Sequence, residues 1–130
     1  MTAPSSSSSE REARRVIEAY FPLFNKGDVK GLLQVVNFPH IRMAGGTITM
    51  IPSAAEWTGD PTPISAAEGW DHSGLDSTQF VQSSAGKVHA LVVFSRYRAD
   101  GTRYATYHTL WIVTRIDGHW GVQCRSSFAP

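Results

Sequence analysis

The chain has 130 residues, 42% hydrophobic and 18% charged, with a net charge of +1 and one cysteine. That length fits one domain able to bury a core without cross-links, and the composition is globular rather than disordered. The near-neutral charge and scattered basic residues argue against a nucleic-acid partner; Cys124 alone makes no internal disulfide, no Cys/His cluster has zinc spacing, and no apolar run is long enough to span a membrane. The resulting expectation is a cytoplasmic protein with no cofactor, no nucleic acid and no membrane among its partners.

The N-terminus, MTAPSSSSSEREARR, has no apolar core of a secretory signal. Its serines predict a disordered tail over residues 1–8, ahead of one domain over 9–130. From Ser9 the pattern is helical: Val16, Tyr20, Leu23 and Phe24 recur at i, i+4, i+7 and i+8. Pro22 predicts a kink and Gly27 a C-terminal stop. Asp28 is positioned to cap a second helix from Val29 to about Val36. Asn37-Phe38-Pro39 breaks that helix. HIRMAGGTITMI then predicts two short strands around Ala44-Gly45-Gly46. Residues 52–72 hold Trp57 and Trp70 in a Pro- and Gly-rich stretch, with SAAEW and SAAEGW as short helices capped by Ser53 and Ser65.

After Gly74 four strands follow in a meander, with turns at Ala85-Gly86, Asp100-Gly101 and Asp117-Gly118. Two-residue turns fix register, and opposed residues share a face. Pairing about Asp117-Gly118 sets Val113 opposite Val122, Trp111 opposite Cys124, Thr109 opposite Ser126 and Tyr107 opposite Phe128. Pairing about Asp100-Gly101 sets Phe94 opposite Tyr107 and Ala90 opposite Trp111. The inner face then carries Val88, Ala90, Val92, Phe94, Tyr107, Thr109, Trp111, Trp120, Val122, Cys124, Ser126 and Phe128. The outer face carries His89, Leu91, Val93, His108, Leu110, Ile112, Arg125 and Ser127. Its aliphatic centre with a polar rim has the composition of an interface.

EAYFPLFNKGDVKGLL, Glu18 to Leu33, resembles the first-helix signature of the nuclear-transport-factor-two-like superfamily: a Tyr, then an Asn two residues before Gly-Asp, here Tyr20, Asn25, Gly27 and Asp28. VTRIDGHWGVQCRSSF resembles that family's last hairpin, with Trp120 and Val122 after the Asp-Gly turn. The resemblance runs from about residue 9 to the end. It implies an α+β fold, with N-terminal helices packed in the concave face of a curved, mixed but mainly antiparallel sheet, a cone-shaped α+β barrel. It further implies a pocket on the inner face and a homodimer through the outer face, formed by His89, Leu91, Val93, His108, Leu110, Ile112 and Arg125. Members include ketosteroid isomerase, scytalone dehydratase, limonene epoxide hydrolase and SnoaL-like polyketide cyclases, besides non-catalytic domains, so the fold does not name an activity.

Isomerase-type chemistry needs a base in an apolar pocket and an oxyanion donor. The inner face offers Tyr107 as donor but no carboxylate base, and the Asp-Arg-Asp set of the epoxide hydrolases is not visible. His40 is the candidate base; the plainer reading is a buried histidine held by one hydrogen bond. His72 is placed at the rim, His119 in solvent, and His89 and His108 on the outer face. Trp57, Trp70, Phe94, Arg96, Thr109, Trp111 and Ser126 are the candidate ligand contacts, although aromatic residues also dominate ordinary cores. Two functions are expected. One is a small-molecule-binding domain for an apolar, ring-containing molecule, with His40 and Tyr107 in acid–base isomerase, dehydratase or cyclase chemistry. The other is a non-catalytic dimeric binding or assembly module.

Overall fold

A computed structural model describes residues 6–59 and 62–129. Helix α1 spans Ser6–Asn25. Ala13, Val16, Ile17, Tyr20 and Phe21 are its buried apolar residues, spaced by three and four so that one stripe meets the sheet. The helix starts before Ser9, inside the expected tail. Ser9 is buried, and the Ser83 hydroxyl donates to the Glu10 carboxylate at 2.6 Å, so the first turn is tied down. Residues 1–5 of that expected tail lie outside the described residues. Pro22 is accommodated within α1, one turn from its end.

Gly27, at φ 67°, ends the helix, and the Asp28 carboxylate accepts from the Gly31 N–H at 2.8 Å to cap α2, Val29–Leu32. This second helix is shorter than expected. A 3₁₀ turn over Leu33–Val35 follows, and Val36 already begins the first strand. Consecutive β-branched residues at Val35 and Val36 favour that early change to extended backbone.

The strands are β1 Val36–Ala44, β2 Thr47–Ile51, β3 His72–Ser83, β4 Lys87–Tyr97, β5 Arg103–Ile116 and β6 His119–Ser127. They form one sheet in the order β2-β1-β6-β5-β4-β3, in which only the β1–β6 pair is parallel. A 3₁₀ turn at Ala54–Glu56 and helix α3, Thr62–Glu68, connect β2 to β3. This is the expected α+β architecture, with helix α1 laid on one face of a mixed sheet. No described helix is long and apolar enough to cross a membrane.

The Asp117-Gly118 turn has φ of 51° and 80° at its two residues, as a type I′ hairpin requires. It pairs Ile116 with His119 and Val113 with Val122, as the turn predicts. The β4–β5 register also agrees: Phe94 opposes Tyr107, Val92 opposes Thr109, Ala90 opposes Trp111. The loop between these strands is longer than the two residues expected, yet it preserves the pairing. Val88, Ala90, Val92, Trp111, Val113, Trp120 and Val122 are buried, and form one core with α1. Burying each large side chain contributes roughly 1.5–3 kcal/mol.

Beyond Val122 the register changes. Ile112 pairs with Cys124, Trp111 with Arg125, Leu110 with Ser126 and Thr109 with Ser127. Gln123 is one residue more than β5 can oppose, which makes a β-bulge, and every side chain after it changes face. Arg125 and Ser127, expected outside, join the inner face. Cys124 and Ser126, expected inside, turn outward. Phe128, expected opposite Tyr107, is 88% exposed. The bulge is fastened by its own side chain: Gln123 donates to the Pro39 carbonyl at 3.1 Å and accepts from the Thr114 hydroxyl at 2.9 Å.

Gly121 permits the close approach of β6 to β1. A Cβ there would lie 2.7 Å from the carbonyl carbon of Val36 and 2.9 Å from the Asn37 nitrogen. Both are backbone atoms, so the overlap is not relieved by a side-chain rotation. Gly121→Ala is expected to cost about 1–3 kcal/mol in urea denaturation. Gly46→Ala, where an added Cβ meets nothing within 4 Å, stays within about 0.5 kcal/mol of wild type. Equal stability of the two variants would contradict the packing at β6.

Candidate functional site

A cavity of about 330 Å³ opens over the inner face of the sheet, at the lower end of the roughly 300–1,000 Å³ usual for ligand sites. Helix α1 contributes Tyr20, Phe21 and Phe24, and β4 and β5 contribute Phe94, Arg96, Thr109 and Trp111. The β2-β1-β6 side adds Thr49, Ile51, Arg42, Arg125 and Ser127, and the segment after β2 adds Trp57, Thr58 and Gly59. The aromatic walls brace one another. Trp111 lies edge to face with Tyr20 at 5.1 Å and stacks on Phe21 at 5.6 Å, and Phe21 meets Phe94 at 5.6 Å.

Five of the seven expected ligand contacts line this cavity: Trp57, Phe94, Arg96, Thr109 and Trp111. Ser126 does not, because the bulge at Gln123 presents Ser127 in its place. Trp70 is buried behind the wall, edge to face with Phe24 at 5.6 Å, and its indole N–H donates to the Ser73 hydroxyl at 2.9 Å. Tyr107 shares the inner face with Phe94, but Arg96 stacks over its ring at 4.9 Å and it stays off the cavity surface.

His40 is fully buried and also does not line the cavity. Its Nδ1 lies 3.1 Å from the Val122 carbonyl, and the Arg125 Nε donates to its Nε2 at 3.2 Å. These two contacts fix the neutral tautomer with the proton on Nδ1, and they occupy both ring nitrogens. Burial, and then the nearby Arg125 charge, push its pKa down to about 4. The plainer reading of His40 therefore describes its setting better than that of a base facing substrate. His72, expected at the rim, stacks flat on Tyr97 at 4.8 Å, and Asp71 holds its Nδ1 at 2.9 Å. His119, expected in solvent, is exposed yet bonds to the side chain of Asn37 at 2.6 Å. His89 contacts Gln82 at 2.9 Å.

Sequence reasoning missed Tyr20, Arg42, Arg125 and Ser127 as lining residues, and Glu68 behind them. Arg42 was within reach, since it lies two residues from His40 on the same strand and shares its face. Arg125 was not, because the turn-based register puts it outside. The Arg42 and Arg125 positions are paired across the parallel β1–β6 ladder. Arg96 is 5% exposed, and Glu68 of α3 neutralises it with two contacts of 3.1 and 3.2 Å. Glu68 also accepts from the Tyr104 hydroxyl at 2.7 Å. Burial and this carboxylate raise the Tyr104 pKa to about 12.

A family model described as NTF2-like protein (DUF6841) matches residues 10–124. No functionally curated protein matches the chain in sequence. Among solved structures, an NTF2-like protein with a cystatin-like fold from Novosphingobium aromaticivorans is similar at a TM-score of 0.72 and 18% identity, over 92% of this chain and 80% of its own. A protein of unknown function with a cystatin-like fold from Nostoc punctiforme is similar at 0.77 and 10% identity, over 99% and 96%. An NTF2-like superfamily protein from Salmonella enterica serovar Typhimurium is similar at 0.71 and 12% identity, over 97% and 94%. At these identities the likeness is one of fold.

The histidine environment yields a prediction. The unfolded chain protonates His40 near pH 6.5, whereas the folded chain resists until about pH 4. Stability from this group is therefore complete above pH 6.5 and is lost as pH falls toward 4. The total is about 3 kcal/mol at 1.36 kcal/mol per unit. In urea denaturation at pH 7 and pH 4.5, His40→Gln should lose less stability than wild type by roughly 2 kcal/mol. Equal losses would mean that the ring is not held neutral.

Proposed function

The chain belongs to the NTF2-like protein family DUF6841, and from the open inner face of that fold we propose that it binds a small ring-containing molecule. The observation that carries this reading is the aromatic-walled cavity, which Trp57 and Trp111 border without filling. A cavity lined with flat, mutually braced rings and a few polar groups suits a rigid apolar body, because pre-ordered walls lose little entropy on binding.

Acid–base chemistry of the isomerase, dehydratase or cyclase kind has less support. Both nitrogens of His40 are engaged, and neither His40 nor Tyr107 lines the cavity. The lining includes no Asp, Glu or His among the described residues. Binding, not proton transfer, is the function the geometry favours.

The reading includes a homodimer through the outer face of the sheet. Along two rows of paired residues that face holds Met50, Ile41, Cys124 and Ile112, then Ile48, Met43, Ser126, Leu110 and Leu91. Ile48 is 68% exposed and Met50 59%. A contiguous apolar surface across the sheet supports burial against a second subunit. It extends onto β1 and β2, beyond the residues expected from β4 and β5, and it excludes Arg125.

Two measurements test these proposals. In a thermal-shift screen of one- and two-ring terpenoid and aromatic compounds, a ligand at a hundred times its Kd should raise Tm by on the order of 10 °C. Ser127→Phe, which inserts a ring into the cavity, should abolish that shift; an unaffected shift would place binding elsewhere, and a silent screen would remove the reading. Separately, Leu110→Asp should convert a dimer to a monomer by light scattering. A mutant that stays dimeric would refute the outer-face interface.

A further inference from the structure

The polar groups of the cavity are unequal in charge. Three arginines line it, and only Arg96 has a carboxylate. No ion pair among the described residues includes Arg42 or Arg125. These two are paired across neighbouring strands, where like charges repel. Both are half-buried, so water screens them less than it screens surface charges. Burial, then the Arg125 charge, pull the Arg42 pKa below its ordinary value. A guanidinium keeps its proton throughout, so that shift registers as unrelieved repulsion and desolvation.

Arg125 is also held in place. Its Nε donates to His40, which is itself anchored on the Val122 carbonyl, and its guanidinium lies 5.2 Å over the Tyr20 ring. These contacts use one edge and one face of the planar group. Its terminal amino groups make no hydrogen bond among the described residues. A neutral histidine beneath a cation orients it without neutralising it. Ser127 adds a further donor: its oxygen accepts from the Ala129 N–H at 2.9 Å, which leaves the hydroxyl hydrogen free to donate. Thr109 spends its hydrogen on the Val92 carbonyl and offers the cavity only an acceptor, so among these residues the free donors are those of Arg42, Arg125 and Ser127.

We infer that the cavity takes its ligand as an organic monoanion: a one- or two-ring carboxylic acid, its carboxylate on Arg42 and Arg125 and its rings among Tyr20, Phe21 and Trp111. The inference rests on the ligand-binding reading above and gives it a substrate class. A carboxylate matches the flat donor edge of a guanidinium, and one negative charge shared by two cations relieves their repulsion. The small volume restricts the body to one or two rings.

Isothermal titration calorimetry with 2-naphthoate and 2-naphthamide tests this, since the two share shape and differ in charge. Wild type should bind naphthoate at least about tenfold more tightly than naphthamide, the scale of a charge-assisted contact. Arg42→Gln and Arg125→Gln should each lose about that factor for naphthoate. Both should keep naphthamide affinity within about twofold, which shows in the same variant that the cavity is folded. Equal binding of the two probes by wild type would overturn the inference and leave the ligand-binding reading standing. So would variants that lose both probes together, since the arginines would then shape the cavity and not read charge. If neither probe binds wild type, the inference falls, and the thermal-shift screen alone decides the ligand-binding reading.

Discussion

The bulge at Gln123 sets the chemistry of the inner face. β6 carries one residue more than β5 can oppose, and the surplus is absorbed between Val122 and Cys124. Before that point β6 supplies core: Trp120 and Val122 pack under α1. After it, the residues that follow turn their alternate side into the cone, and Arg125 is the first to arrive there. The neighbouring strand is irregular at the same height. The β1–β6 register shifts between Val36 and Ile41, across the cis Phe38-Pro39 bond, and His40 leaves that stretch to meet the Val122 carbonyl. Two irregular strands side by side thus place a histidine and an arginine in contact, and the cavity receives a cation on a fixed mount.

That arrangement explains why His40 reads so differently in place than in the sequence. A histidine at the start of an inner strand invites a catalytic role. Here its ring is surrounded by Trp57 at 5.3 Å, a carbonyl on one nitrogen and a guanidinium on the other. Burial, by withholding water, and Arg125, by its charge, disfavour a proton on Nε2 and outweigh the Val122 carbonyl, which favours the charged ring. The group that reaches the cavity is the arginine, and the histidine sets its direction. Charge at the site comes from residues whose protonation does not change near neutral pH. Such charge suits the ligand binding proposed above, whereas acid–base catalysis calls for a group that gains and loses a proton at working pH.

Much of the fold was legible because local chemistry fixed it. Asp28 as a cap, Gly27 as a stop and Asp117-Gly118 as a tight turn each require a particular residue type at a particular backbone geometry, and each is found as read. The turn also carried register correctly for the first half of β6, so Val113 and Val122 were placed well. The cavity's aromatic wall followed from alternation on β4 and β5. What failed was parity. Gln123 carries no glycine or proline to announce a bulge, and its cause is remote: the Pro39 carbonyl and the Thr114 hydroxyl hold it. One missed residue reversed Cys124, Arg125, Ser126 and Ser127. Trp57 and Trp70 were read alike as ligand contacts, yet only Trp57 lines the cavity, because the path of the chain after β2 decides between them.

The same reversal links the two faces of the sheet. Had β6 continued in register, Arg125 would stand outward beside Leu110, a cation in the middle of an aliphatic surface, where burial against another subunit would strip its water without a partner. Cys124 and Ser126 would crowd the cone beside Trp111 and Thr109. With the bulge, Cys124 sits between Ile41 and Ile112, and Ser126 between Met43 and Leu110. Two small side chains replace a long charged one on the outer surface, which makes that surface flatter and more apolar. The charge goes inward, where a bound anion would compensate it. One extra residue therefore sorts a cation to the cavity and apolar side chains to the exterior, so the cationic pocket and the apolar surface proposed as an interface both follow from one local change in the backbone.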